Sequence, residues 1–188
     1  GIIVITDIIK DAEKKMGSAV DFTREEFSGI RTGRANPSMF NKITADYYGA
    51  PTPLQQLATF QVPEARTILI TPFDRSAVNA IEKAIRDSDL GVNPSNDGNM
   101  IRCILPALTE DRRKEYIKMA KHKAEEGRVS VRNVRRGAND AIKRLEKDKE
   151  IGEDEATRAE KSLDAATKRF VDQIDELLKA KEAELLEI

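Results

Sequence analysis

The sequence predicts an α+β protein in which a small β/α/β domain is inserted into a long antiparallel three-helix bundle. Segments with apolar residues at every third or fourth position occupy both ends of the chain. Short β-type runs separated by Pro and Gly fill the middle. The composition, with 35% charged and 5% aromatic residues, is typical of long solvated helices. The 188 residues suffice for one large domain or two small ones.

The first helix is predicted from a pair of capping residues and the apolar stripe that follows. Thr6 and Asp7 are good N-caps. The stripe contains Ile9, Ala12, Met16, Ala19, Thr23, Phe27 and Ile30. We expect this helix to end near Gly33, a glycine suited to a C-cap or a hinge. Since the chain begins with Gly1 instead of Met, we expect residues 1–4 to be a remnant of processing or cloning.

The middle segment, residues 34–107, changes from helical to strand-like periodicity. Predicted strands are Ile43–Tyr48, Leu57–Val62, Thr67–Thr71 and Met100–Leu105. One helix is expected among them, with Ser76 as N-cap, an apolar face around Ile81 and Ile85, and Gly91 at its C-terminal side. Asn96-Asp97-Gly98 is a hairpin-type turn.

Two more helices follow the returning chain. Thr109 is the predicted N-cap of the first, whose seam of mostly small residues runs from Ile117 to Leu145 at heptad spacing. At 1.5 Å per residue a helix from 109 to 150 is about 60 Å long, so we expect an elongated protein. The last helix begins at the acidic cluster after Gly152, and its buried face runs from Ala156 to Leu177.

These segments can complete one core only if the middle of the chain is an insertion. We therefore predict a discontinuous bundle domain of residues 1–33 and 108–188 and an inserted domain of residues 34–107. The chain crosses between them twice, near residues 31–34 and 105–108. Two crossings allow hinge motion without letting the domains drift apart.

Charge is distributed unevenly, although the formal net charge is only −1. Residues 112–149 hold 14 Lys and Arg against 6 Asp and Glu, whereas residues 150–188 hold 6 against 12. One flank of the basic helix carries a stripe made of Lys118, Lys121, Glu125, Arg128, Arg132, Arg135 and Asn139, and Arg112 and Arg113 extend the basic character toward the helix start. Arginines at this spacing suit nucleic-acid phosphates. The alternative is that they pair with the acidic third helix.

Catalytic patterns are weak. The single histidine, His122, lies between two lysines and is expected to be exposed and unused, and Cys103 reads as a small buried hydrophobe. Asp74, Arg75 and Tyr47 could in principle do acid–base work, but no spacing links them, and a turn and strand role is the simpler interpretation. No metal-ligand spacing or phosphate loop occurs, so we expect no enzyme, cofactor or metal. No membrane span or targeting segment is predicted, which favours the cytoplasm.

Several sequence blocks together resemble one family. They are Ile30-Arg31-Thr32-Gly33-Arg34-Ala35-Asn36-Pro37, Tyr47-Tyr48-Gly49, Gln56-Leu57-Ala58, Asp89-Leu90-Gly91-Val92-Asn93-Pro94, Leu108-Thr109-Glu110 followed by Arg112-Arg113, and Val131-Arg132-Asn133-Val134-Arg135-Arg136. In this order they resemble the signature blocks of the bacterial ribosome recycling factor family, from about Asp7 onward.

The resemblance implies an L-shaped protein, similar in outline to a transfer RNA, that splits the 70S ribosome after termination together with elongation factor G, which hydrolyses GTP. It implies that Arg132 and Arg135 bind large-subunit ribosomal RNA, with Arg128 a weaker match; Lys121, Arg112 and Arg113 join them as candidates on the same helix. The hinge would comprise Gly33, Arg34, Leu105 and Pro106, and the small domain would engage elongation factor G.

A structural coiled-coil adaptor is the alternative function. Heptads that associate between chains predict an oligomer whose size depends on concentration. A bundle that satisfies its own three seams predicts a monomer.

Overall fold

The computed structural model describes residues 2–187, so Gly1, the first of residues 1–4 whose origin was at issue, lies outside the described residues. Within that range the chain forms five α-helices and six β-strands. The helices are α1 (Ile2–Ser28), α2 (Leu54–Leu57), α3 (Val78–Arg86), α4 (Glu110–Lys147) and α5 (Glu153–Leu186). The strands are β1 (Thr44–Tyr47), β2 (Ala50–Pro53), β3 (Ala58–Glu64), β4 (Thr67–Pro72), β5 (Asn93–Asn96) and β6 (Ile101–Ile104). The predicted α+β class is confirmed.

The chain divides into two compact units. The first joins the residues up to Arg24 with Met119–Lys181, and the second joins Glu25–Lys118 with the stretch from Glu182. Across residues 2–187, no helix is both long enough and apolar enough to cross a membrane.

In the first unit, α1, α4 and α5 share one core. At one level Ala12, Ile142 and Ala159 belong to the same buried cluster. At another level, a Cβ added to Gly127 would contact Thr23 and Ile174. Between the two levels the residue number rises along α1 and α5 and falls along α4. The helix α4 therefore runs antiparallel to the other two, as the sequence predicts.

The seam of α4 is confirmed by its burial. Ala120, Ala124, Gly127 and Val131 are buried on one face. Thr109 Oγ1 accepts a hydrogen bond from Arg112 N at 3.1 Å and caps the helix as predicted. The acidic start of α5 at Glu153 is also confirmed.

Both predicted ends of α1 are wrong. The helix extends N-terminally through Thr6 and Asp7, because Ile5 is partly buried against the bundle core and packing outweighs the local capping preference. It stops at Ser28, since the amides of Gly29 and Ile30 donate to carbonyls three residues back, at 3.3 and 3.0 Å, and so close a tight last turn. Ile30 is nonetheless 3% exposed, so the apolar pattern continues beyond the helix.

In the second unit, β3, β4, β6 and β5 form an antiparallel sheet in that order, and β1 pairs with β2 in a separate two-stranded sheet. The four predicted strands are present within about two residues. The strands β2 and β5 were not predicted, because Pro51, Pro53 and Pro94 interrupt their pattern. Both strands pair on one side only, the position where Pro is tolerated.

The helix α3 packs against this sheet. Val78, Ile81 and Ile85 share a buried cluster with Ile68 of β4 and Cys103 of β6. The predicted cap at Ser76 is wrong, because Asp74 caps a short 3₁₀ turn that precedes α3, its Oδ1 accepting from Ser76 N at 2.9 Å.

Turns around the small sheet follow the predicted glycines. Gly91 has the expected left-handed conformation, with φ of +68°, but it follows the end of α3 by five residues. Gly98 has a φ of +89° in the turn between β5 and β6, where Asp97 Oδ1 accepts from Asn99 N and Met100 N, both at 2.9 Å. The hydrogen bonds lower the pKa of Asp97.

Candidate nucleic-acid interface

The arginine stripe in the first unit contains two exposed members and one that is mostly buried. The side chains of Arg132 and Arg135 are 50% and 44% exposed, whereas that of Arg128 is only 18% exposed. All three project from one flank of α4, which the buried seam holds in place. Arg132 and Arg135 therefore offer guanidinium groups to a partner, and Arg128 offers little.

Arg128 forms a tight cross-helix pair. Its Nε donates to Asp175 Oδ1 of α5 at 2.7 Å, and its Nη1 donates to Glu125 Oε2 at 3.0 Å. Burial on its own would lower the pKa of Arg128, but the hydrogen bonds to Asp175 and Glu125 outweigh it and raise the pKa. This residue stabilises the bundle in the way that the pairing alternative predicts.

Arg132 and Arg135 are held more loosely. Arg132 Nη1 lies 3.5 Å from Glu125 Oε1, and Arg135 Nη1 lies 3.4 Å from Asp164 Oδ1 of α5. Each contact uses one guanidinium nitrogen at a long distance and a half-exposed site. Such pairs contribute little to stability and exchange readily. The pairing interpretation therefore describes Arg128 well and describes Arg132 and Arg135 only weakly.

The remaining candidates lie toward the N-terminal end of α4 and differ in how exposed their side chains are. Lys121 is exposed, and within the described residues it forms no ion pair. In the second unit, Arg112 is 63% exposed with Nη1 3.6 Å from Glu115 Oε2, and Arg113 is partly buried with its Nε lacking a hydrogen-bond partner within residues 2–187. Arg112 is therefore accessible, and Arg113 is partly committed to packing.

The candidate hinge residues fall in two segments of the second unit. Arg34 is 72% exposed with its Nε 3.9 Å from Glu187 Oε1, and Gly33 has no left-handed backbone. Leu105 is 1% exposed and donates its amide to Arg66 O at 2.8 Å. The prediction that Gly33 caps α1 is wrong, since the helix ends at Ser28.

Arg31 is a residue whose importance the sequence pattern missed. It is 4% exposed, and its Nη2 donates to Pro106 O at 2.5 Å, which ties the outgoing segment to the returning one. Burial lowers its pKa, the nearby Tyr116 raises it, and Arg66 lowers it further. The only signal in the sequence was a charged residue next to the apolar Ile30, and a charged residue in that position is ordinarily expected on the exposed surface of a helix.

Tyr47 and Asp74, the candidates for acid–base work, form a capping arrangement near the two-stranded sheet. Tyr47 Oη donates to Asp74 Oδ2 at 2.6 Å, and Asp74 Oδ1 accepts from Ser76 N and Oγ. These hydrogen bonds raise the pKa of Tyr47 to about 12 and lower the pKa of Asp74. At neutral pH both groups therefore stay in their ordinary protonation states, and their contacts hold β1 to the start of the α3 segment.

Other sequence candidates stand as follows. His122 is 75% exposed and contacts Glu126 Oε1 at 2.6 Å, as expected for a surface histidine. Cys103 is buried as predicted. Burial, and to a smaller extent the negative charge of Glu82, raises the pKa of its thiol to about 12. In the part of the chain that the structure describes, no cluster of His, Cys, Asp and Glu could hold a metal ion.

Comparison with known proteins places the chain in a family. A family model described as "Ribosome recycling factor" matches residues 23–186. The chain is 76% identical over 184 residues to the ribosome-recycling factor of Cutibacterium acnes, covering 98% of this chain and 100% of that protein. It is 63% identical to that of Kocuria rhizophila, covering 97% and 99%. The chain therefore belongs to the ribosome recycling factor family.

Solved structures agree with this assignment. A solution structure of a ribosome recycling factor superposes with a TM-score of 0.79 at 44% identity, covering 98% of each chain. A second, at 42% identity and a TM-score of 0.70, covers 97% of this chain and 99% of the other. It is described as the T. thermophilus ribosome recycling factor and the E. coli elongation factor G bound to the E. coli post-termination complex.

Proposed function

We propose that this chain is a translation factor that acts with elongation factor G to dissociate the post-termination ribosome from messenger RNA and to recycle its subunits. The observation that carries the proposal is family membership over nearly the whole chain. A relative 42% identical to it is described with elongation factor G on a post-termination complex. We propose that the chain acts in the cytoplasm, where bacterial ribosomes translate.

The proposed attachment to large-subunit ribosomal RNA is through Arg132 and Arg135. Their exposure and their long ion pairs support this role, because a guanidinium can bind two phosphate oxygens at once. Lys121 and Arg112 are accessible positive charges that add to the attraction. Arg128 is proposed to hold the helix bearing these groups in place rather than to bind RNA itself, since its guanidinium already has two carboxylate partners.

Motion is proposed to follow the domain division predicted from sequence. Residues 34–107 would turn about Gly33, Arg34, Leu105 and Pro106 while residues 1–33 and 108–188 hold the RNA. The hydrogen bond from Arg31 to Pro106 O supports a joint in which the two crossings move together. The chain itself makes and breaks no covalent bond, because GTP hydrolysis is assigned to the partner.

The RNA contact is tested by neutralising the two exposed arginines. The Arg132→Ala/Arg135→Ala variant should bind purified large subunits at least about tenfold more weakly, since charge-assisted hydrogen bonds are lost. Its salt dependence should flatten by about one unit per phosphate contact removed. Subunit splitting, followed by light scattering with elongation factor G and GTP present, should slow correspondingly.

The matched control is Arg144→Ala/Arg158→Ala, which removes the same charge from exposed positions on α4 and α5. It should bind and split as the unmodified chain does. Equal affinity and salt dependence in both double variants would eliminate the arginine contact. Failure of the unmodified chain to split subunits with elongation factor G and GTP would eliminate the proposed function as a whole.

A further inference from the structure

The two exposed arginines of the stripe each face a carboxylate that is itself accessible. Glu125 lies on the same flank of α4, and its side chain is 56% exposed. Asp164 projects from α5, and its side chain is 62% exposed. A phosphate that approaches Arg132 or Arg135 therefore meets a negative charge within a few ångströms of its target.

The contacts that these carboxylates make with Arg132 and Arg135 are the weak ones of the stripe, although Glu125 Oε2 also accepts from Arg128 Nη1 at 3.0 Å. The shortest cross-helix contact of the stripe is made by Arg128, which reaches Asp175 Oδ1 at 2.7 Å from a largely buried position. The contacts from Arg132 and Arg135 to their carboxylates are longer by 0.7 to 0.8 Å and use one nitrogen each. Pairs of this kind exchange with solvent and contribute little to stability.

We propose that Glu125 and Asp164 determine specificity by competing intramolecularly with RNA phosphate for Arg132 and Arg135. The inference rests on the proposed function of the arginines. An RNA that places phosphates on both guanidinium groups replaces both carboxylates and gains two charge-assisted contacts. An RNA that reaches only one gains too little to overcome the repulsion from the carboxylates that remain. Glu125 and Asp164 thus lower the affinity for unrelated RNA.

Coulomb's law sets the scale of the effect. Two like charges about 4 Å apart in water repel by enough to change an equilibrium constant about fivefold, and salt reduces this further. Neutralising both carboxylates should therefore tighten binding of an unrelated RNA duplex by about tenfold at low salt. The gain should shrink as salt is raised, because the repulsion that is removed is screened.

The test compares Glu125→Gln/Asp164→Asn with the unmodified chain, using fluorescence anisotropy and a labelled RNA duplex of non-ribosomal sequence. The matched control is Asp21→Asn/Asp172→Asn, which removes two carboxylates from other ion pairs of the bundle. In those pairs Asp21 accepts from Arg24 at 2.7 Å and Asp172 from Lys168 at 2.8 Å. The control changes the net charge equally and should leave affinity within about twofold of the unmodified chain.

The result expected is tighter duplex binding for the first variant only, and loss of that gain when Arg132→Ala/Arg135→Ala is added. Unchanged affinity, weaker affinity, an equal gain in the control, or a gain that persists without the arginines would each overturn the proposal. Binding of Arg132→Ala/Arg135→Ala to large subunits is measured separately. If that variant binds large subunits weakly while the duplex measurement fails, the proposed function stands and only this inference is lost.

Discussion

At the scale of single residues, Gly127 shows how closely the three bundle helices approach. A Cβ at this position would overlap Thr23 Oγ1 of α1 and lie 3.1 Å from Ile174 Cδ1 of α5. Thr23 cannot easily turn away, because its hydroxyl donates to Ala19 O at 2.9 Å within its own helix. The small residue is therefore required by packing from both sides.

The Gly127→Ala substitution should lower the free energy of unfolding by about 1–3 kcal/mol, the usual cost of overpacking a close-packed interior. The measurement is chemical denaturation followed by circular dichroism. Gly137→Ala is the matched control, since it lies on the same helix with open space around the added methyl. The control should raise the free energy of unfolding by about 0.5–1 kcal/mol. A rise in the free energy of unfolding for Gly127→Ala, like that expected for the control, would show that α1 and α5 do not enclose Gly127.

Residue identity predicted where the arginines lie but not what they contact. Helical spacing places Arg128, Arg132 and Arg135 on one flank whatever the rest of the molecule does. Their partners depend on which residues of α5 come level with each of them, and that is fixed by packing of the seams. Arg128 meets Asp175 and Arg135 meets Asp164 only because α4 and α5 run antiparallel in this register. The sequence could therefore suggest ion pairing or phosphate binding for the stripe, but it could not indicate which arginine is held by a carboxylate.

At the scale of elements, the linker segments depend on one buried cation. Arg31 lies among residues that leave it 4% exposed, and it satisfies the carbonyl of Pro106, which follows β6 and precedes α4. Because Arg31 is buried, a guanidinium left without this acceptor would cost free energy, so the hydrogen bond favours a path of the returning chain that keeps Pro106 O within reach.

Replacing Arg31 by Ala should lower the free energy of unfolding by about 2 kcal/mol or more, since the hydrogen bond and the packing of the side-chain stem are both lost. Arg34→Ala is the control, because that side chain is 72% exposed and reaches Glu187 only at 3.9 Å. It should change stability by less than about 1 kcal/mol. Thermal unfolding checks both, and equal midpoints for the two variants would contradict a structural role for Arg31.

Elements with strong periodicity were predictable, and those set by tertiary contacts were not. The helices α4 and α5 repeat an apolar residue every third or fourth position for more than twenty residues, so their existence and buried faces followed from the pattern. The edge strand β5 has the sequence Asn-Pro-Ser-Asn and no apolar alternation. It exists because β6 offers an unpaired edge beside it. The end of α1 was misjudged because Ile30 keeps the helical period while its backbone has already turned.

At the scale of the whole molecule, the basic α4 and the acidic α5 lie within one bundle. Their opposite charges are joined at Arg128 and Asp175, and the apolar seam of α4 is buried against α1 and α5. Little apolar surface on these seams remains for association with a second chain. The adaptor alternative needs that surface.

We therefore expect a monomer of 21.0 kDa at all concentrations from micromolar upward. Sedimentation velocity at several loading concentrations checks this, with one peak whose sedimentation coefficient does not increase with concentration. The Arg132→Ala/Arg135→Ala variant serves as a control, since these half-exposed arginines lie outside the buried seams. A peak that shifts toward a dimer as concentration rises would favour the coiled-coil adaptor.

The single thiol of the chain belongs to Cys103. This residue lies on β6 inside the four-stranded sheet, opposite Ile68 of β4 and Pro94 of β5. With no solvent contact and a pKa raised to about 12, it is almost never a thiolate while the sheet is closed. Oxidants and alkylating reagents reach it only during an opening event. The rate at which Cys103 is modified therefore reports how often that sheet opens, and the measurement needs no added label.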